Sequence, residues 1–332
     1  MRIIRKTADL IFTKPNLVLI GNFDGLHLGH NKIIQDAKKF ASAEKLSILF
    51  ITFEPHPSKF FGKFENLDHR ITQLSQKLRL LKCQYFQDFP DIAVAILPFN
   101  NHLSNIDAKV FVEDILVKNC NMKRLIVGYD FIFGRNREGD FNFLEQSSKI
   151  NNFNLTRLEA VTFNNQNRQI CSSSSIRNMI RSGEIELANQ MLGYDFNFVG
   201  SVIEGKKLGR TIGFPTINSR PSLHLVLPKF GVYLSKIAVF QENYWLSYFD
   251  SITNFGVRPT VEDSKIAIFE THVINKDEAV IANFTNQVAK NNRIVLQLTF
   301  FLRPEHKFAN IEALKSQIKL DLAMAIQKTR HE

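Results

Sequence analysis

Apolar and polar positions alternate on two different rhythms in the two parts of this chain. In the first part, short continuous apolar runs, 17–21, 47–53, 92–99 and 124–129, are rich in Val, Ile, Leu and Phe and stop at Gly, Pro or polar residues. Runs of that length and composition predict buried strands. Amphipathic stretches lie between them, and in one Phe111 and Ile115 share a face with Val112 and Leu116. Strand and helix in alternation predict βαβ units, a parallel sheet and right-handed crossovers. Ligands of such sheets sit beyond the carboxyl ends of the strands, so the loops after Ile20, Phe53, Phe99 and Val127 are where chemistry is expected.

After about residue 185 the rhythm changes. The runs 198–203, 231–239 and 293–301 are separated by Gly, Pro and Asn, which predicts an antiparallel sheet or small barrel. The chain closes on a helix in which Leu314, Ile318, Leu322 and Ile326 recur every four residues. The expected organisation is two domains, 1–185 and 186–332, joined by a helical connector over 175–192. No internal repeat or low-complexity segment interrupts them.

Composition adds little. With 332 residues, 44% hydrophobic and 22% charged, the chain has the make-up of a globular protein large enough to need no staple. Cys83, Cys120 and Cys171 match no metal-ligand spacing and read as reduced thiols. No apolar run has the length of a signal peptide or a membrane span, so a cytoplasmic protein is expected, with no membrane partner. The net charge of +10 favours anionic ligands without choosing among them, and it is dispersed along the chain rather than gathered into a nucleic-acid-binding arm.

The chemistry-bearing segments are more specific. In LVLIGNFDGLHLGH an apolar run enters a Gly-rich turn and then a helix. His27 and His30, three apart at the start of that helix, share a face. Gly21, Gly25 and Gly29 allow tight turns and close approach of a ligand. A helix N-terminus offers free N–H groups and partial positive charge to a phosphate, and two imidazoles there can hydrogen-bond a departing pyrophosphate. A plain strand–turn–helix corner with two surface histidines is the competing interpretation.

This motif resembles that of the nucleotidylyltransferase superfamily. Three more segments narrow the resemblance: ITFEPHP with Glu54, Pro55 and His56, VGYDFIFGRNREGD with Asp130, Phe131, Gly134 and Arg135, and CSSSSIR at 171–177. In this order they are similar to the FMN adenylyltransferase half of bacterial FAD synthetases, whose patterns read GxFDGxHxGH, FxPHP, GxDFxFGxxxxGD and SSTxIR. The resemblance implies a Rossmann-like fold. It also implies nucleotide binding by Gly21, Phe23, Asp24, Gly25, His27, His30, Asp130, Ser173, Ser174 and Arg177, with the two histidines catalytic. The family's threonine is Ser174 here, and the following position, often arginine, is Ser175.

In the second part, 200–207 reads GSVIEGKK, one residue short of a P-loop and followed by Gly209, Gly213 and Pro215, which a P-loop helix would not tolerate. GKKLGRTIGFPTIN predicts instead a Gly-rich flap followed by Thr216 and Asn218 on one strand face, where a hydroxyl and an amide oxygen suit Mg2+. An ordinary turn into an edge strand would look similar. GFPTIN, NFGVRPT, FETHVI and FLRPEHKF…QIKLD resemble the riboflavin kinase signatures GFPTAN, NIGxRPT, the segment carrying the catalytic glutamate, and FLRxExKF…QIxxD. That resemblance implies an antiparallel β-barrel with a C-terminal helix and a catalytic Glu270. It further implies nucleotide or flavin contacts from Gly205, Gly209, Arg210, Gly213, Pro215, Asn254, Arg258 and Arg303, and Mg2+ at Thr216 and Asn218. The family's LYG after the histidine is absent, replaced by INKDEAVIANFTNQ.

Taken together, the resemblance implies an enzyme that phosphorylates riboflavin to FMN and adenylylates FMN to FAD. Its cofactor would be Mg2+, and its partners riboflavin, FMN and ATP; a homo-oligomer stays open. Two alternatives stay open as well: a riboflavin kinase whose adenylyltransferase half is weakened or inactive, and an RNA-binding protein on the same fold.

Overall fold

The computed structural model describes residues 1–62, 70–163, 169–205, 208–221, 224–241, 247–258, 266–274 and 277–329. The chain divides into two compact units, one of residues 1–66 and 74–173, the other of residues 67–73 and 174–332.

The first unit is built on a six-stranded sheet of β1 (Arg2–Ile4), β2 (Asn16–Ile20), β3 (Ser47–Glu54), β4 (Ile92–Pro98), β5 (Met122–Gly128) and β6 (Asn154–Leu158). The strand order is β1-β4-β3-β2-β5-β6, and every pairing is parallel, as the apolar runs predict. Because both faces are covered by helices, successive residues of β2 enter opposite cores. Val18 and Ile20 pack with Leu125 and Val112, while Leu17 and Leu19 pack with Ile34 and Phe50. This is why the central strands read as unbroken apolar runs rather than as alternation. The helix over 108–119 buries Phe111, Val112, Ile115 and Leu116.

The chain leaves β2 toward β3 and β4 on one side and returns to β5 and β6 on the other. The order therefore reverses between β2 and β5, and the loop after β2 opens at this switch point, where such sheets bind ligands. A two-stranded ribbon, β7 (Thr162–Phe163) with β8 (Gln169–Ile170), completes the unit.

The expected connector is two helices, Ser173–Ser182 and Ile185–Leu192, broken at Gly183, whose φ of +87° an L side chain rarely adopts. The second unit is a closed antiparallel barrel of β9 (Phe196–Ile203), β10 (Ile217–Arg220), β11 (Gly231–Val239), β12 (Phe249–Arg258), β13 (Ile266–Val273) and β14 (Arg293–Arg303), in the order β10-β13-β12-β11-β14-β9. Gly200–Ile203 belongs to β9, which removes the P-loop alternative, since a phosphate loop cannot lie within a ladder.

The barrel interior is divided by chemistry. Phe198, Phe255 and Phe269 stack with centroids 4.2–4.4 Å apart, while Ser235, Ser251, Thr253 and Thr271 exchange hydroxyl hydrogen bonds of 2.8–2.9 Å. Each of those buried hydroxyls thereby has a partner, as burial requires.

The closing helix, Ile311–Thr329, lies on the outer barrel wall. Ala325 and Leu322 pack with Val232, Leu234 and Ile252, whereas Leu314, Ile318, Leu322 and Ile326 are only half-buried. An unexpected helix, Glu278–Asn291, begins within the segment that replaces the family's LYG. Asp277 caps it by accepting from Ala279 N and Val280 N, and Phe284 and Val288 are buried one turn apart.

Candidate functional site

The loop after β2 carries the first cluster. Phe23 and Leu26 take positive φ of 48° and 42°, beside Gly25 at 87°, so the turn is held in a conformation rare for side-chain-bearing residues. His27 is the N-cap residue of the helix Leu28–Glu44, and its ring stacks on that of His30 with centroids 3.7 Å apart. A Cβ on Gly29 would lie 3.0 Å from Cε1 of His27, which explains the glycine there. His30 also packs against Phe23 at 5.1 Å, and its Nδ1 is buried without a hydrogen-bond partner. Burial holds the His30 pKa well below the usual value, and the charges of His27 and Lys77 add to the shift. At neutral pH His30 is therefore an uncharged imidazole with one N–H to donate.

The same loop meets residues distant in sequence. Ser173 Oγ donates to the Asp24 carbonyl at 2.8 Å, and Cys171 Sγ lies 3.6 Å from His27 Nδ1. Ser174 and Arg177 follow on the helix Ser173–Ser182, within the residues of the second unit. Asp130 is exposed just past β5, at the sheet edge that also holds the β2 loop. Its motif is an ordered turn: Phe133 and Gly139 exchange two backbone hydrogen bonds of 3.0 Å, and Asp140 caps the next helix by accepting from Phe143 N. His56 has a local task too, accepting from Ser58 N at 3.2 Å as the cap of a short turn.

Three features of this edge escaped the sequence reading. Phe53, Phe60, Phe61 and Phe99 form an edge-to-face cluster at the ends of β3 and β4, with centroids 5.3–5.7 Å apart. Lys77 is buried, its Nζ donating to the Asn22 carbonyl at 2.6 Å and to Thr52 Oγ1 at 3.2 Å. Tyr85 OH donates to the Leu26 carbonyl at 2.7 Å, and burial raises its pKa to about 12. One signal was available for Lys77: it lies three residues after Leu74 and four before Leu81, on the apolar stripe of its helix.

The second cluster lies on the barrel. Asn218 of β10 and Asn254 of β12 are both register partners of Glu270 on β13, so three polar side chains line up on one face of adjacent strands. All three, with Thr216, line a cavity of about 420 Å³. Its apolar wall includes Ile212, Phe214, Val232, Ile252, Ile268 and Ile318, a lining suited to a flat ring system.

Gly-rich backbone covers the polar end. A Cβ on Gly205 would collide with the Asn218 amide, one on Gly209 would collide with the Phe214 carbonyl, and Gly213 has φ +88°. Pro215 offers its carbonyl to His272 Nδ1 at 2.8 Å. Asn218 Oδ1 is buried and lacks a hydrogen-bond partner, an orphaned oxygen that fits the hard-ligand role expected of it. Of Arg210 and Arg258, only the backbone lies among the described residues.

Arg303 lines the cavity, and its guanidinium is engaged by Asp321 of the closing helix through bonds of 2.7–3.1 Å, with Gln317 also donating to Asp321 at 2.8 Å. The FLRPEHKF and QIKLD segments are thus two sides of one buried fastening. Asn254 Nδ2 donates to Glu305 at 3.3 Å, and a Cβ on Gly256 would run into that carboxylate.

A family model described as FAD synthetase matches residues 11–174, and one described as riboflavin kinase matches residues 192–329. The bifunctional riboflavin kinase/FMN adenylyltransferase of Buchnera aphidicola subsp. Schizaphis graminum is 31% identical, covering 97% of both chains. The Escherichia coli K12 protein of the same description is 33% identical over 92% of this chain and 90% of its own, and that of Bacillus subtilis 31% over 94% and 92%. A solved Streptococcus pneumoniae structure, described as a macrolide-efflux protein, shares the fold with a TM-score of 0.80 at 22% identity, over 98% of this chain and 99% of that one. With both domains present in order and full-length relatives above 30% identity, this chain belongs to the bifunctional riboflavin kinase/FMN adenylyltransferase family.

Proposed function

We propose that the enzyme's two transfers are divided between the clusters, riboflavin phosphorylation at the barrel cavity and FMN adenylylation at the loop after β2. The observation that carries this reading is the row Asn218–Glu270–Asn254, which puts one carboxylate beside an orphaned amide oxygen at the mouth of an apolar cavity. In the kinase reaction Glu270 accepts the proton of the riboflavin 5′-hydroxyl as that oxygen attacks the γ-phosphorus of ATP and ADP departs. Thr216 and Asn218 would hold Mg2+, which neutralises phosphate charge when bound.

In the second reaction a phosphate oxygen of FMN attacks the α-phosphorus of ATP and pyrophosphate departs. Both transfers are direct displacements and need no covalent intermediate, so positioning and hydrogen bonding dominate. His27 and His30 donate to the leaving group, with His30 neutral for the reason given above. The nucleotide is cradled by Gly21, Phe23, Asp24, Gly25 and Ser173, joined by Asp130. The aromatic cluster at Phe60, Phe61 and Phe99 offers the flavin ring a flat apolar surface.

We place the boundary of the two activities near residue 185, within the stretch 175–191 that neither family model covers. No helix among the described residues is long and apolar enough to cross a membrane. Three free cysteines with no metal-ligand spacing favour the cytoplasm, and the dispersed charge favours small anionic substrates over nucleic acid. Incubation with riboflavin, ATP and Mg2+, followed by chromatography, tests the reading. FMN and FAD should both accumulate; FMN without FAD would leave the kinase half alone active.

A further inference from the structure

The strained loop after β2 is held from beneath by a single helical segment. Leu74–Leu80 continues into the wider turns of Leu81–Tyr85, where Phe86 N bonds to Leu81 O five residues back at 2.9 Å. In an uninterrupted α-helix, residues eight apart diverge by about 80°. The wide turn between Lys77 and Tyr85 reduces that divergence and brings both side chains beneath the loop. Each then donates to a loop carbonyl, Lys77 to Asn22 and Tyr85 to Leu26. Thr52 Oγ1 donates to the Asn22 carbonyl as well, at 3.2 Å.

These two carbonyls precede consequential amides. The Asn22–Phe23 and Leu26–His27 peptides are trans. In a planar trans peptide the carbonyl and the following N–H point in opposite directions. Drawing the two carbonyls toward the helix therefore aims the N–H groups of Phe23 and His27 away from it. Phe23 and Leu26, the residues with left-handed backbone, are the ones whose neighbouring peptides are fixed in this way. Outward-facing backbone N–H groups on a strained turn at a helix start make a recess for anions.

We propose that Lys77 and Tyr85 are positioning residues for adenylyl transfer, fixing the Phe23 and His27 amides as donors to the phosphates of the nucleotide. The inference rests on the placement of that reaction at this loop. Neither side chain touches substrate; each acts through a peptide plane. Lys77 is buried beneath the loop, and the phenol of Tyr85, its pKa raised by burial, remains a donor at physiological pH.

The test uses the full chain with Tyr85→Phe, which deletes one hydroxyl, and Lys77→Met, which deletes the ammonium and keeps the length. FAD formation from FMN should fall by about ten- to a hundredfold in kcat, the scale of misplaced donors, with the KM for FMN unchanged and riboflavin phosphorylation intact. Inorganic pyrophosphate added to 15N-labelled wild type should shift the Phe23 and His27 amide signals. Tyr85→Phe should weaken mainly the His27 response and Lys77→Met mainly the Phe23 response, a crossed pattern that general destabilisation does not produce. Wild-type kcat in Tyr85→Phe, or equal loss of both responses in both variants, overturns the inference. A wild type that makes no FAD would instead defeat the functional reading, and the pyrophosphate response would still decide the orientation of the amides.

Discussion

Asn218 and Glu270 are register partners on neighbouring antiparallel strands, so an orphaned amide oxygen and a carboxylate meet on the barrel wall at one end of the cavity. Their separation in sequence conceals this. Glu270→Gln removes the proposed base while keeping size and hydrogen-bonding capacity. Riboflavin phosphorylation should fall by about two to four orders of magnitude, the usual contribution of a general base, while adenylylation of supplied FMN is spared. A kinase rate within about threefold of wild type, far inside that range, would remove Glu270 from the role.

Asn218→Ala tests the metal assignment. The substitution should raise the Mg2+ concentration needed for FMN formation and weaken ATP binding at the barrel, because the ion bridges protein and phosphates. FAD formation from FMN should keep its own Mg2+ requirement. If the kinase titration does not move while riboflavin binding is lost, Asn218 contacts flavin instead of metal.

His30→Ala should reduce FAD formation by about a hundredfold or more, the cost of losing a donor to developing charge, and leave FMN formation from riboflavin intact. Equal loss of both activities in a folded variant would argue against two separate sites. The stacked His27 ring makes a second prediction possible. His27→Ala should lower the rate as well, and the double variant should be less impaired than the product of the single effects, since the rings contact each other.

The pKa of His30 carries a pH signature. Its folded value lies well below the ordinary 6.5, so between the two values the unfolded chain binds a proton that the folded chain refuses. Stability of the first unit should therefore be fully present above about pH 6.5 and decline as the pH falls toward the folded value. In His30→Gln that decline should flatten, as measured by urea midpoints across the range. Unchanged pH dependence in the variant would place the titrating group elsewhere.

Asp321→Ala breaks the fastening between β14 and the closing helix. The pair is buried, with side-chain exposures of 15% for Arg303 and 3% for Asp321, and leaving Arg303 without it should cost about 3 kcal/mol. Chemical denaturation of the wild type and variant measures this directly. A loss below about 1 kcal/mol, typical of an exposed pair, would mean that solvent replaces the carboxylate.

Much of the architecture was legible in order along the chain. Unbroken apolar runs signalled a doubly covered parallel sheet because strands packed on both faces have no polar side to show. The Gly-rich turn after β2 was readable from its glycines, although the left-handed backbone falls on Phe23 and Leu26 as well as on Gly25. GFPTIN and FETHVI marked the barrel chemistry through a family resemblance and not through any local necessity, since a lone glutamate in a strand carries no signal of its own. The helix Glu278–Asn291 has its local signals in the Asp277 cap and the spacing of Phe284 and Val288, but it begins in a segment that departs from the family pattern, so the resemblance carried no expectation of it.

By itself, the sequence determined the two element classes, their order, the strand that enters the Gly-rich loop, and the residue types able to do the chemistry. Each of these depends on local spacing, turn chemistry or side-chain type. Tertiary structure alone decided which carbonyls Lys77 and Tyr85 hold, that Asn218 and Asn254 flank Glu270, and that Arg303 is tied to Asp321. It also decided that His30 is neutral, because desolvation depends on what packs against the ring. Strand register and burial are properties of neighbours brought together across tens of residues, and no pattern within one segment encodes them.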